Sequence, residues 1–173
     1  MSYTRSGYEW EDSFKKSVRT FLPDAFIYKL IDTHSIEGLL RKLKKTQTQY
    51  ENFLIPKVPA DFILIDEGRT LWVECKSTSN LESFPLRNIK SHQIEFGLSI
   101  DGAGGEYIFA IQRNEPRNKR AFLLSVNTLV DISIKLGKSK SIKWNVLERH
   151  PRVIEMTREK GSLFNTEELF NVL

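Results

Sequence analysis

Residues 61–76 read DFILIDEGRTLWVECK, two short apolar runs separated by a polar break. The break, Asp66-Glu67-Gly68-Arg69, holds the residue types of a tight reversal, so the stretch predicts a β-hairpin. Side chains alternate between the two faces of a strand. In the second run Leu71, Val73 and Cys75 therefore share one face, and Trp72, Glu74 and Lys76 share the other. The first set suits a core. The second places a carboxylate and an ammonium group together within an apolar sequence. Asp61 opens the first run, at the end of the hairpin far from the turn, which is also where Glu74 and Lys76 lie. Three polar groups are expected to converge at one end of two core strands.

The rest of the chain frames this hairpin. Trp10, Phe14, Val18, Phe21 and Leu22 recur at helical spacing and predict a helix over 8–22, closed by Pro23. AFIYKLI at 25–31 predicts a strand. Residues 35–45 predict a helix with Ile36, Leu39, Leu40 and Leu43 on one side, and Pro56 and Pro59 bracket a loop. A helix is expected over 87–98 after Pro85, a loop at 101–105, strands at 106–112 and 121–126, and helices at 127–136 and 165–172. This alternation gives one α/β domain, a mixed central sheet flanked by helices.

Composition narrows the class. The chain has 173 residues, a hydrophobic fraction of 40% and a charged fraction of 28%, an ordinary globular mix. The single cysteine, Cys75, excludes an intrachain disulfide framework. No apolar run reaches membrane-span length and the N-terminus has no signal-peptide pattern. The expectation is a soluble cytoplasmic protein, nucleoid-associated, in a cell or in a virus-infected host. The net charge is only +4, but the bases cluster. Arg41, Lys42, Lys44 and Lys45 form one group. Arg113, Arg117, Lys119 and Arg120 form a second, diluted by Glu115. Lys135, Lys138, Lys140 and Lys143 form a third. Such clusters suit a phosphate backbone, or are simply solvated faces.

Two carboxylates at one point make a hard-oxygen site for Mg²⁺, which is held by one or two carboxylates together with substrate phosphate. A neighbouring lysine supplies a point charge to a nucleophile or a transition state. Asp61, Glu74 and Lys76 thus read as metal-dependent phosphodiester cleavage, against the alternative of a surface ion pair between Glu74 and Lys76. With about 100° per residue, Glu11 falls about 60° from the centre of the first helix's apolar face, while Glu9 and Asp12 face solvent. Glu11 is the acid able to lean toward the sheet edge, or it pairs with Lys15 one turn on. Gln93 sits in an apolar stripe with Ile89 and Phe96. Its amide must find a partner, either at the site or as a structural contact. His34, His92 and His150 show no ligand spacing. There is no CxxC pair, no P-loop and no G-x-S-x-G elbow, so zinc, nucleotide triphosphate and serine-hydrolase chemistries lack support.

The run Trp72–Gly97, WVECKSTSNLESFPLRNIKSHQIEFG, resembles the PD-(D/E)xK nuclease superfamily, and within it the RecU-type Holliday junction resolvases. The ECK motif, the SFPL-x-N segment and the HQIE segment follow in the order of that family. Gly7 to Glu11 matches its glycine and helix-one glutamate, and KSIKWNVLE at 140–148 weakly echoes its C-terminal region. The resemblance implies a restriction-endonuclease-like core and an endonuclease that resolves four-way DNA junctions by paired nicks, leaving 5′-phosphates. It implies Asp61 and Glu74 as metal ligands with Glu11, Lys76 as the catalytic lysine and Gln93 as a site glutamine. Mg²⁺ is the expected cofactor, with Mn²⁺ substituting. Paired cuts from one site per chain imply a homodimer. Residues 32–58 fall where the family has a stalk but do not align with it, and no long N-terminal arm is expected. The whole of 1–173 is expected to be one nuclease domain, with 32–58 a basic insertion. Arg41, Lys42, Lys44, Lys45, Lys138, Lys140 and Lys143 are the expected DNA contacts. Other readings are a nuclease for linear duplex, a silent junction binder and a protein-interaction domain.

Overall fold

The computed structural model describes residues 5–30, 58–159 and 163–172. The hairpin forms as the sequence predicts, but tighter. Strand β2 (Phe62–Asp66) pairs antiparallel with β3 (Arg69–Thr78), with Asp66 opposite Arg69. The turn is therefore only Glu67-Gly68, both at positive φ (46° and 81°). Two consecutive left-handed residues match the twist of the flanking strands, which explains the glycine at the more extreme position.

β1 (Phe26–Lys29) joins the outer edge of β2. On its other side β3 pairs in parallel with β5 (Glu106–Arg113), which pairs antiparallel with β6 (Arg120–Ser125), and β6 pairs with β8 (Ile154–Met156). The six-stranded mixed sheet has the order β1-β2-β3-β5-β6-β8. Parallel strands need a crossover. Here it carries β4 (Ser83–Pro85), a 3₁₀ turn (Leu86–Asn88) and helix α2 (Ser91–Gly102).

Helix α1 (Arg5–Phe21) covers one face of the sheet. Trp10, Phe14 and Val18 are buried there against Phe62, Leu71, Val73 and Ile108. The Trp10 indole N–H donates to the Ala110 carbonyl at 2.9 Å, which fixes the helix over the middle of β5. The other face packs α2, α3 (Val126–Leu136) and α4 (Trp144–Arg149) around Tyr107, Phe109, Phe122 and Leu124. A side chain on Gly97 would meet Tyr107 and Val126 at 2.9 Å, so only glycine lets α2 press this close. Gln93 lies one helical turn before Gly97, and both are buried.

The expected α/β mixed sheet is present, and several boundaries move. The helix expected at 87–98 begins at Ser91 and runs to Gly102, because Pro85 and the 3₁₀ turn occupy its first residues. The helix expected at 165–172 is a 3₁₀ turn, Glu167–Asn171. The sequence reading passed over β4, β7 (Ser141–Lys143), α4, β8, and the two-residue strands β9 (Arg158–Glu159) and β10 (Leu163–Phe164). β7 pairs antiparallel with β4, Phe84 against Ile142, and both side chains are fully buried. The helix expected at 35–45 lies outside the described residues. Among the described residues, no helix is long and apolar enough to cross a membrane.

Candidate active site

Asp61 stands immediately before β2. Its N–H donates to the Val73 carbonyl at 3.0 Å and its carbonyl accepts from Leu30 at 2.8 Å, so its backbone already belongs to the sheet. The side chain folds onto β3, where Oδ2 accepts the Cys75 N–H at 2.7 Å. Glu74 is 3% exposed. Its Oε1 accepts the Gln93 amide and the Lys76 ammonium. The Gln93 carbonyl oxygen accepts the Lys90 N–H at 2.9 Å. That bond satisfies an orphan donor at the start of α2 and turns the Gln93 amide nitrogen toward Glu74.

The three expected groups therefore converge at one end of β2 and β3. Glu11 faces the same region from α1. Its ion-pair partner among the described residues is Lys29 on β1, at 2.7 Å, and not Lys15. Lys29 in turn lies 5.5 Å from the centre of the Tyr8 ring. A cavity of about 710 Å³ opens here, and Glu11, Asp61, Lys76 and Gln93 line it. Glu74 lies beneath, under Gln93 and Lys76.

The electrostatics of this cavity are strained. Burial, then the negative charges of Glu74 and Glu11, push the Asp61 carboxyl up to about 8; Lys76 and the Cys75 N–H oppose the rise. Like carboxylates out of water cannot all ionise unaided. The Cys75 thiol, on the opposite face of β3, is pushed well up by burial, which keeps it an inert thiol rather than a nucleophile. Burial also raises the Tyr107 phenol, whose O–H donates to the Pro59 carbonyl at 2.8 Å.

Among the described residues, no three His, Cys, Asp or Glu side chains gather into a ready-made metal cage. A pair of hard carboxylate oxygens with an excess of buried negative charge still fits Mg²⁺, which takes one or two carboxylates and keeps several waters. His92 is half-buried, stacks edge-on with Phe96 at 6.4 Å and does not line the cavity. His150 is lowered by burial and by Arg152 and Lys135, and its ring accepts the Arg152 N–H at 3.3 Å. His34 lies outside the described residues.

The basic clusters separate clearly. Arg41, Lys42, Lys44 and Lys45 lie outside the described residues. In the second cluster Arg120 grips Glu155 at 2.6 Å and also pairs with Glu148, and Arg113 pairs with Glu115 at 3.0 Å. Two of that cluster's bases are thus already paired with acids. Lys138, Lys140 and Lys143 are exposed and sit in or beside β7, whose partner β4 leads directly into the cavity wall. Sequence reasoning missed that wall. Ser77 to Asn80, Pro85, Arg87, Asn88 and Lys90 all reach the cavity. The only sequence signal was the SFPL-x-N segment, to which no role was attached.

A profile of the family described as Recombination protein U, RecU, matches residues 7–163. The chain belongs to the RecU family. The Holliday junction resolvase RecU of Shouchella clausii (strain KSM-K16) is 32% identical over 89 residues, 51% of this chain and 42% of that relative. The match thus spans less than half of the curated RecU protein's length. Among solved structures, Archaeoglobus fulgidus Hjc, a Holliday junction resolvase from an archaeal hyperthermophile, is 14% identical with a TM-score of 0.42, covering 76% of this chain and 85% of that one. The matched range spans the candidate site residues from Glu11 on α1 to Gln93 on α2.

Proposed function

We propose that this chain is a Mg²⁺-dependent endonuclease that resolves four-way DNA junctions by paired symmetric nicks. The observation that carries this reading is the convergence of Asp61, Glu74 and Lys76 at the end of two core strands, in a chain of the RecU family. A binding module has no need of a carboxylate pair, with Glu74 buried, beside a lysine.

Asp61 and Glu74 would hold the cation, with Glu11 facing it across the cavity; Mn²⁺ would serve in its place. Such a cation would supply charge neutralisation at the scissile phosphate and a more acidic bound water. The chain's own residues set the geometry. The Cys75 N–H holds the Asp61 carboxylate, and Gln93 holds Glu74. Lys76 lies between Glu74 and the cavity. There its ammonium would orient the attacking water or meet charge on the transition state. Lys138, Lys140 and Lys143, with the 41–45 cluster, would contact duplex arms through phosphates.

Two cuts need two sites, so we also propose a C₂ homodimer matching the near-twofold junction. Residues 1–173 then act as one nuclease domain carrying 32–58 as an insertion. A role in recombination sets the protein in the cytoplasm, at the nucleoid or at replicating viral DNA.

The test uses a labelled four-way junction and matched linear duplex, with Mg²⁺ or with EDTA. Symmetric nicking of the junction alone, lost in Lys76→Ala, is the expected result. Equal cutting of the linear duplex would instead make this a nuclease for other DNA. Binding without cutting in Mg²⁺ or in Mn²⁺ would leave a silent module. Light scattering on and off DNA tests the dimer, and a strict monomer in both would contradict it.

A further inference from the structure

The cavity's wall carries cations that the reading above does not use. Arg87 follows the 3₁₀ start after β4, and Lys90 immediately precedes α2. Both are exposed, both line the cavity, and neither is in an ion pair with a described residue. This separates them from Arg113 and Arg120, whose charges are already answered.

Their positions are fixed by hydrogen bonds from several directions. The Leu86 N–H donates to the Lys140 carbonyl at 3.0 Å, tying the 3₁₀ turn to the residue before β7. The Trp144 indole N–H donates to the Asn80 carbonyl at 3.0 Å, and the Asn80 side chain accepts the Glu82 N–H at 2.9 Å. The segment from Asn80 to Lys90 is thus bracketed at both ends. Lys90 is also linked to the carboxylate pair, because its N–H is held by Gln93 and Gln93 holds Glu74.

Helix α1, with Glu11, lies on one face of the sheet, and α2, with Lys90 before its first residue, lies on the other. The cavity is therefore lined by the carboxylates of Glu11 and Asp61 and, along the wall from β4 to the start of α2, by the cations Arg87 and Lys90. A sugar-phosphate strand fits this arrangement. One phosphate would lie at the carboxylates, and its neighbour would meet the Arg87 guanidinium and Lys90 ammonium, carried on a wall whose backbone is held in place. Beyond Arg87, the backbone bond to Lys140 continues the basic track along β7 to Lys143.

We propose that Arg87 and Lys90 are substrate-binding residues that grip a phosphate next to the scissile one on the strand to be cut. This deepens, and rests on, the nuclease reading. Being exposed, the two side chains can be changed without cost to the core. Each contact is worth the amount typical of an exposed charge-assisted bond, so Arg87→Gln and Lys90→Gln should each weaken junction binding about 5- to 10-fold. Each should also flatten the slope of log K against log salt by about one.

Binding is measured by fluorescence anisotropy on a four-way junction in EDTA, where no cutting occurs, with Lys16→Gln as a control. Lys16 is exposed on α1 and does not line the cavity. Wild-type affinity and salt slope in both variants, or an equal loss in the control, would overturn the proposal. Cleavage by the wild-type protein is scored separately in Mg²⁺. A protein that binds through Arg87 and Lys90 but never cuts contradicts the nuclease reading and leaves the phosphate grip standing. One that cuts normally with both residues removed contradicts the grip alone.

Discussion

Strands β3 and β5 lie side by side in parallel register, and they serve opposite ends. β5 is buried without interruption from Tyr107 to Gln112. β3 places Glu74 opposite Phe109 and Lys76 opposite Ile111. On the same face of the same sheet, one strand contributes apolar area and the other contributes a carboxylate with an ammonium partner. Burial that stabilises Phe109 is what holds the Asp61 carboxyl near 8 beside Glu74. The apolar burial along β5 thus sits beside a strand that carries a buried carboxylate and its ammonium partner.

The comparison is broken most sharply by exchanging effects between the strands. Glu74→Gln should lower junction cutting on the order of 10³-fold while leaving metal-free thermal stability at pH 8 undiminished. A large loss of stability instead would make Glu74 a structural residue. Its neighbour should behave the other way. Phe109→Ala should cost about 3–5 kcal/mol in denaturant unfolding, while the fraction that remains folded cuts at close to the wild-type rate. A smaller effect is expected at the link between the two systems. Gln93→Leu removes both the hold on Glu74 and the cap at Lys90, and should lower cutting about 10- to 100-fold with a stability loss of about 1 kcal/mol.

A further contrast concerns pH. Asp61 has a folded-state value of about 8, raised from 3.8. Between those values the folded state holds a proton that the unfolded state has released, so stability falls as pH rises through this window. In EDTA the melting temperature should decline from pH 4 toward pH 8 more steeply than in Asp61→Asn, and Mg²⁺ should reduce the decline. Parallel pH profiles for the two proteins would remove Asp61 from the account.

The hairpin, α1, β5 and β6 were legible because their signals are local. Alternation around Asp66–Arg69 and helical spacing from Trp10 to Val18 need no distant partner. The convergence of Asp61, Glu74 and Lys76 followed from strand parity alone. β4 and β7 were not legible: each has three residues and forms only by pairing with the other, far along the chain. The same holds for the site's details. Spacing showed that Glu11 sits on the flank of α1, but its pairing with Lys29 is a tertiary contact. Gln93 stood out as a polar residue in an apolar stripe, yet its hold on Glu74 depends on the close approach that Gly97 allows. Arg87 and Lys90 carried no periodic signal, because they stand between elements rather than within them.

We propose that Asp61, beside Glu74, keeps its proton at neutral pH until a cation displaces it. Isothermal titration of Mg²⁺ and Mn²⁺ at pH 7, in two buffers of different ionisation enthalpy, measures both binding and proton release. The account predicts saturable binding with release of about one proton in the wild type, and loss of both in Asp61→Asn. Absence of binding for either cation, or binding undiminished in Asp61→Asn, would contradict it.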